Sequence, residues 1–303
     1  MEIAKRAPRI RWSVHACCIF LIASAEILAA QTWQLPQEPP GELVKATVAN
    51  EVAAANDSTI KHMFLSRKQT PKGTQTHLYV ETNEAMAGML IAINGQPLTP
   101  QQQQTEDGHL TWLINNPDQL RKKQAREKED TDRSLRIVKA LPTAFRYQYA
   151  GTQTGTAAVG APGAELVRLN FSPNPDYSPP SHVEQVLTGM EGYLLIDVQA
   201  KRLAKIDGTL FRDVTFGWGL FGRLDKGGRF MVRQADVGDD SWEITEMQLN
   251  ITGKILLVKN ISMVQDEVFS GFQRMPNNLP FAQGVERLKA EQEKLARATA
   301  PQT

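Results

Sequence analysis

The chain has 303 residues, of which 41% are hydrophobic and 22% are charged, a balance typical of a folded globular protein. Its formal net charge is +1, so the composition gives no general basis for binding nucleic acid. Both cysteines, Cys17 and Cys18, lie near the N-terminus. The rest of the chain therefore has neither a disulfide framework nor a thiolate metal site.

The N-terminus has the pattern of a secretory signal peptide. A basic segment precedes an apolar segment at residues 13–22, and Ala23-Ser24-Ala25 follows as a cleavage motif. The basic residues are Lys5, Arg6, Arg9 and Arg11. The alternative is an uncleaved membrane anchor, but the apolar run is shorter than the ~20 residues that a spanning helix needs. We predict a cleaved signal peptide at residues 1–25 and a periplasmic or secreted mature chain without a transmembrane span.

The mature chain is predicted to begin with a linker at residues 26–42, because this stretch is rich in proline and glutamine. A single domain is predicted at residues 43–297, with a disordered tail at residues 298–303. Val44, Val48 and Val52 recur every four residues, which predicts a helix at 43–55. Strands are predicted next, at residues 60–67, 75–82 and 86–93.

A helical insertion is predicted at about residues 99–142. Thr99-Pro100 and Asn116-Pro117 both have the N-cap-plus-proline pattern of a helix start, and Pro142 is predicted to end the second helix. Ten of the thirteen residues at 121–133 are charged, with both signs mixed. This pattern favours a solvated helix with ion pairs between successive turns, and the alternative is a docking surface for a partner or for anionic lipid.

The second half of the chain reads mostly as strands joined by short turns. Strands are predicted at residues 145–150 and 165–171, and a proline-rich connection follows at 172–180. The stretch from Gly192 to Arg274 is predicted to be an antiparallel meander, because its turns are too short for parallel crossovers. The predicted turns are Asp225–Gly228, Val237–Asp240 and Thr252–Gly253. A final helix is predicted to carry Phe281, Val285, Leu288 and Leu295 on one face.

These elements predict an α+β fold, in which a curved antiparallel β-sheet (a half-barrel meander) has helices packed across one face. Such a sheet either encloses a cavity beneath its helices or packs a filled core.

The segment Gly217-Trp-Gly-Leu-Phe-Gly222 matches the dinucleotide motif G-x-G-x-x-G, but no strand-to-helix unit surrounds it. Its aromatic and apolar residues suit the mouth of a ligand cavity, and a bulged strand packed on the core is the alternative. The candidate ligand-binding residues are Phe216, Trp218, Leu220, Phe221, Met231 and Trp242. The histidines are scattered without metal-ligand spacing. No catalytic residue, metal site or cofactor is predicted.

The segments Gly192-Tyr-Leu-Leu-Ile-Asp197 with Arg202-Leu203, and Lys226-Gly-Gly-Arg-Phe230, give the chain a family resemblance. With the order of the predicted elements, they resemble the periplasmic lipoprotein carrier and sorting proteins of the LolA/LolB-like superfamily. The resemblance implies a helix-covered sheet with an apolar cavity for lipid acyl chains and no catalysis. The charged insertion and the proline-rich connection depart from the pattern of that family.

Three functions remain open at this point. The first is an exported, non-catalytic protein that binds lipid, lipoprotein acyl chains or an envelope protein. The second is a regulatory or structural envelope protein with a filled core, which would use the charged helix at 117–133 for docking. The third is a hydrolase with a dispersed site.

Overall fold

A computed structural model describes residues 35–57, 59–217, 222–238, 241–255 and 259–299. The predicted signal peptide lies outside these residues, as does the part of the predicted tail at 300–303. The helices are α1 (Pro40–Asn56), α2 (Pro100–Asn115), α3 (Pro117–Ala144), α4 (His182–Gln185) and α5 (Phe281–Thr299). A 3₁₀ turn at Val186–Gly189 extends α4.

The described residues form a sheet of thirteen strands, in which every pair of neighbouring strands is antiparallel. The strands are β1 (Lys61–Thr70), β2 (Gly73–Val80), β3 (Ala87–Ile93), β4 (Gln96–Pro97), β5 (Phe145–Thr154), β6 (Glu165–Pro173), β7 (Met190–Asp197), β8 (Arg202–Leu210), β9 (Val214–Phe216), β10 (Gly222–Leu224), β11 (Arg229–Asp236), β12 (Trp242–Ile255) and β13 (Lys259–Met275). The order across the sheet is β4-β3-β2-β1-β13-β12-β11-β8-β7-β6-β5, and the β9–β10 hairpin pairs with β12. The predicted fold class is confirmed: a large, open, curved antiparallel sheet with helices.

Helix starts follow the local sequence closely. The Thr99 hydroxyl accepts a hydrogen bond from the Gln102 amide, and the Gln102 side chain accepts one from the Thr99 amide. Pro100 occupies the first turn, where its missing N–H costs nothing. Helix α3 begins at Pro117 as predicted but continues to Ala144, so Pro142 lies inside its last turn. The predicted end at Pro142 was therefore early by two residues.

The predicted turn at Thr252–Gly253 is wrong. Both residues lie inside β12, where Thr252 pairs with Ser262 and Gly253 with Ile261. Gly253 also pairs with Leu224 of β10, and a Cβ at Gly253 would lie 2.2 Å from the Arg223 carbonyl oxygen. Glycine stands here because another strand passes close to its backbone, not because the chain reverses direction.

One row of residues defines a face of the sheet, which we call the inner face. The row crosses from β6 to β2 through directly paired residues. It consists of Leu169, Leu194, Ile206, Val232, Met247, Glu267, Lys68 and Gln75. Since side chains alternate along a strand, residues two apart share this face. The row is apolar from β6 to β12 and polar from β13 to β2.

Two apolar clusters lie toward opposite ends of the sheet and on opposite faces. The α1 cluster joins Leu43, Val44 and Val48 of α1 to the inner face of β6, β7 and β8. The α5 cluster joins α5 to the outer face of β1, β2 and β3. Its α5 members are Phe281, Val285 and Leu288, which are spaced by one helical turn and almost fully buried. The final helix therefore covers the face opposite to α1, whereas the prediction placed the helices across one face.

Helices α2 and α3 are tied to β3, which the short strand β4 pairs only at Ala92 and Ile93. The Leu90 amide donates a hydrogen bond of 2.9 Å to the Glu106 carboxylate of α2, and the Met86 amide, just before β3, donates one of 3.0 Å to Glu127 of α3. Unpaired edge amides are a template for aggregation, and these two carboxylates occupy them. The same contacts hold the first half of α3 beside the inner face.

We expect Gly253→Ala to lower the free energy of unfolding by about 1–3 kcal/mol, because the added methyl group overlaps the β10 backbone. Gly108→Ala is the matched control. A Cβ at Gly108 meets no atom within 4 Å, and this helical position should gain about 0.5–1 kcal/mol. Urea unfolding of both variants measures the difference, and equal stability of the two would contradict this account of Gly253.

Candidate functional site

Four aromatic rings form a cluster on the inner face of β1, β2 and β13. We call Phe64, Tyr79, Phe269 and Phe272 the aromatic cluster. The ring centroids of Phe64 lie 5.6 Å from Tyr79, 6.0 Å from Phe269 and 5.4 Å from Phe272. Phe64 is 9% exposed, whereas the other three rings are half-buried.

A bulge in β13 brings two of these rings together. Phe269 and Phe272 are three residues apart, so a regular strand would point them to opposite faces. Between the pairs Leu65–Ser270 and Met63–Gln273, β13 has one more residue than β1. Gly271 lies in this bulge with a φ of +67°, a backbone conformation that glycine adopts without strain. The bulge therefore turns Phe272 to the same face as Phe269.

Two cavities border the aromatic cluster, and Tyr79 lines both of them. Cavity A has a volume of about 630 Å³ and lies between the inner face, α2 and α3. Cavity B has a volume of about 680 Å³ and lies between the start of β1, the β2–β3 turn and α3. Both volumes fall within the roughly 300–1,000 Å³ of small-molecule sites. Helix α3 thus faces the sheet across open space along much of its first half.

Half-buried apolar side chains extend the aromatic cluster toward the α1 cluster. On β11 and β12, Phe230 pairs with Leu249 and Val232 pairs with Met247. All four are half-buried, and Phe230 and Val232 pack against the α1 cluster. The inner face is therefore mainly apolar on both sides of the polar pair Glu267 and Lys68.

The polar groups among these rings are paired with one another. The Ser66 hydroxyl donates a hydrogen bond of 2.6 Å to Glu267, whose other oxygen lies 3.6 Å from the Lys68 ammonium. His77 stacks on Tyr79 with 5.6 Å between centroids, and burial lowers the pKa of His77 and raises that of Tyr79. A neutral imidazole and a neutral phenol thus border cavity A.

A second polar pair, His62 and Glu243, lies where strands β12 and β13 separate from each other. Strands β12 and β13 pair only as far as Glu246 and Val268, beyond which β12 pairs with β11 and β13 with β1. The Nδ1 atom of buried His62 on β1 lies 3.0 Å from the Glu243 carboxylate on β12 and so links the two sides of this separation. The Glu243 carboxylate, which accepts a hydrogen bond from this imidazole, raises the pKa of His62, and burial raises the pKa of the adjacent Glu81 carboxyl.

The structure separates the described members of the predicted ligand-binding set. Phe216 packs against the α1 cluster on the inner face. Met231 is 1% exposed and lies on the outer face, because its neighbours Phe230 and Val232 occupy the inner one. Trp242 packs on a small cluster of Leu166, Leu195 and Ala204, with the Arg202 guanidinium 5.5 Å from its ring. Trp218, Leu220 and Phe221 lie outside the described residues.

The G-x-G-x-x-G motif lies between two strands, since Phe216 of β9 pairs with Gly222 of β10. Its last glycine, Gly222, is the first residue of strand β10 and not of a helix. Sequence reasoning missed the aromatic cluster. The available signal was Phe269-Ser-Gly-Phe272, in which glycine between two aromatic residues indicates a bulge.

Within the described part of the chain, no three metal-binding side chains come close enough together to hold an ion. No helix within it has the length and apolar character to cross a membrane.

Comparison with known proteins gives a similarity to solved structures. No family model matches the chain, and no curated protein matches it. Among solved structures, the chain is similar to a "putative outer membrane lipoprotein-sorting protein domain" from Vibrio parahaemolyticus. The sequences are 9% identical, the TM-score is 0.29, and the match covers 80% of this chain and 97% of the other.

Glu243→Gln should lower the free energy of unfolding by about 1–3 kcal/mol near pH 6, because it removes the charged partner of a buried imidazolium. The pKa of His62 is higher in the folded protein than in the unfolded chain, where it is about 6.5. The charged imidazole therefore contributes its full stabilisation of the folded protein below about pH 6.5. That stabilisation is lost as the pH rises through the folded value. In urea unfolding, the difference between wild type and Glu243→Gln should therefore be larger near pH 6 than at alkaline pH.

Glu246→Gln on the same strand is the control. Glu246 pairs with Arg233, which stays charged throughout this range, so its effect should not change with pH. The Glu243 carboxylate also contributes to the raised pKa of Glu81, so the same comparison is repeated in a Glu81→Gln background. A pH-independent effect of Glu243→Gln would contradict the proposed role of His62.

Proposed function

We propose that the chain is an exported, non-catalytic binding protein whose inner face takes the apolar chain of a lipid or lipoprotein. The observation that carries this proposal is the aromatic cluster, which adjoins two cavities beneath a helix that does not fill them. Export is inferred from the signal-peptide pattern at residues 1–25.

The size of the apolar surface suits an acyl chain. Half-buried aromatic and aliphatic groups run from β2 to β11 on one face, with Tyr79 and Phe64 at one end and Phe230 at the other. A chain of about fifteen methylenes gains roughly 12 kcal/mol on burial, before the cost of ordering the chain. Contact with such rings is non-directional, so a flexible ligand needs few specific partners.

The polar groups near the cluster support binding more than catalysis. Among the cross-strand pairs of β1 and β2, Ser66 is the hydroxyl residue that lies opposite a histidine, His77. Its hydroxyl donates a hydrogen bond to Glu267 and not to His77. A nucleophilic serine needs the imidazole itself as its hydrogen-bond partner. The Ser66 arrangement instead satisfies a buried hydroxyl and a buried carboxylate.

The interaction-protein alternative rests on the charged part of α3. Its exposed charges pair along the helix, with Lys128 and Asp132 2.8 Å apart and Arg133 and Glu129 3.0 Å apart. Pairs of this kind stabilise a solvated helix. No specific contact favours docking of a partner through these residues, and lipid binding remains the single function that we propose.

Phe269→Lys should abolish binding of the neutral apolar dye 1-N-phenylnaphthylamine, because it places a charge among the inner-face rings. Val268→Lys is the matched control. Val268 is the preceding residue, is 42% exposed and faces the outer side, so its variant should bind the dye like wild type. Dye fluorescence measures binding, and thermal unfolding checks that both variants fold.

Equal binding by both variants would contradict the location of the site. Protein purified from the cell envelope should also yield lipid on solvent extraction and mass spectrometry. If the purified protein carried no lipid and bound no dye, the proposed function would be wrong.

A further inference from the structure

One face of α3 lines cavity A. The residues of α3 that border this cavity are Gln119, Lys122, Lys123, Arg126, Glu127 and Asp130. They are spaced by three or four positions, so they lie on the same side of the helix. The opposite wall of the cavity is the inner face of the sheet at His77 and Tyr79, and α2 contributes Glu106, His109 and Trp112.

The carboxylates of this lining are already engaged. Glu106 accepts the Leu90 amide, and Glu127 accepts the Met86 amide and lies 2.7 Å from the Lys123 ammonium. Asp130 lies 3.2 Å from the Arg133 guanidinium. Each acidic group therefore has a partner within the protein, and its capacity to bind a ligand cation is reduced.

Unlike these acidic groups, the side chains of two cations that line cavity A have no hydrogen-bond or ion-pair partner among the described residues. Lys122 and Arg126 are one turn apart, are exposed, and form no ion pair with any residue that the structure describes. Ammonium and guanidinium groups in this position can bind the oxygens of a carboxylate or phosphate. The charged side chains that border the cavity without a hydrogen-bond or ion-pair partner among the described residues are therefore positive.

Aromatic surface lies beside these cations. Trp112 is 46% exposed, and His109 stacks on it with 6.1 Å between ring centroids. A large apolar side chain in this position is one that a ligand would cover. Across the cavity, Tyr79 contacts Phe64 and so joins cavity A to the aromatic cluster.

We propose that the ligand of this site is an anionic amphiphile, whose carboxylate or phosphate group binds to Lys122 and Arg126 while its apolar chain lies on the aromatic cluster. This inference rests on the proposed function and adds a charge preference to it. The two cations fix the end of the ligand at cavity A, and Tyr79 marks where its apolar part begins.

The test compares dodecanoate with dodecanol as competitors for bound 1-N-phenylnaphthylamine. The two probes have the same chain length and differ in charge. Wild type should bind dodecanoate about tenfold more tightly or better, as a hydrogen-bonded charge contact implies. In Lys122→Gln/Arg126→Gln, affinity for dodecanoate should fall by a similar factor, whereas affinity for dodecanol should be unchanged.

Arg136→Gln/Lys139→Gln is the matched control. It removes the same charge from the same helix at two exposed positions that border neither cavity. This control should retain the wild-type preference for dodecanoate. An equal loss in both double variants would show that net charge alone attracts the probe, and it would overturn the assignment to Lys122 and Arg126.

A third probe separates a lipid headgroup from a free anion. Inorganic phosphate, titrated calorimetrically into wild type, should bind far more weakly than dodecanoate. Phosphate binding as tight as dodecanoate binding, and lost in Lys122→Gln/Arg126→Gln, would mean a free-anion site and would overturn the inference.

If both amphiphiles bind equally, the charge preference is wrong but the proposed function stands. If neither binds and the dye does not bind, the proposed function fails as well.

Discussion

The pairing of β1 with β13 is the interaction on which the rest of the structure depends. It joins parts of the chain about 200 residues apart, as the hydrogen bond between Ser66 and Glu267 shows. Without it, the sheet would divide into a β1–β4 half under α5 and a β5–β13 half under α1. The same pairing contains the bulge at Gly271 that assembles the aromatic cluster. Continuity of the sheet and formation of the candidate site therefore have one physical origin.

Helix α3 has apolar ends that anchor it and a charged middle segment that borders the cavities. Its ends are apolar, since Leu120 packs against the α5 cluster and Leu141 lies in the α1 cluster. The segment between them is charged, and its Glu127 carboxylate accepts the Met86 amide just before β3. A helix of 28 residues is about 42 Å long, so it can be anchored at both ends while its middle stands away from the sheet. The space that results is what gives the inner face its cavities.

The candidate site combines groups that ordinarily occur apart. Exposed cations on α3 line the same cavity as the Tyr79 ring on β2, while buried polar groups such as Ser66 and Glu267 satisfy each other. Buried polar pairs fix strand positions, because an unpaired member would lose its hydrogen bonds. Three of the rings, Tyr79, Phe269 and Phe272, are half-buried and so remain available for a ligand. This division between structural polar pairs and available apolar surface is what a binding protein requires.

The sequence by itself determined the elements and the class of fold. Local signals were sufficient for the start of α2 at Thr99-Pro100 and for the antiparallel character of the sheet, since capping and short turns act within a few residues. The candidate site needed contacts between distant strands. Gly253 resembled a turn residue until β10 was placed against it, and Met231 resembled a partner of Phe216 until alternation placed it on the other face. Only the extra residue of β13 in its pairing with β1 decided that Phe269 and Phe272 share a face, because a bulge is defined by two strands and not by one.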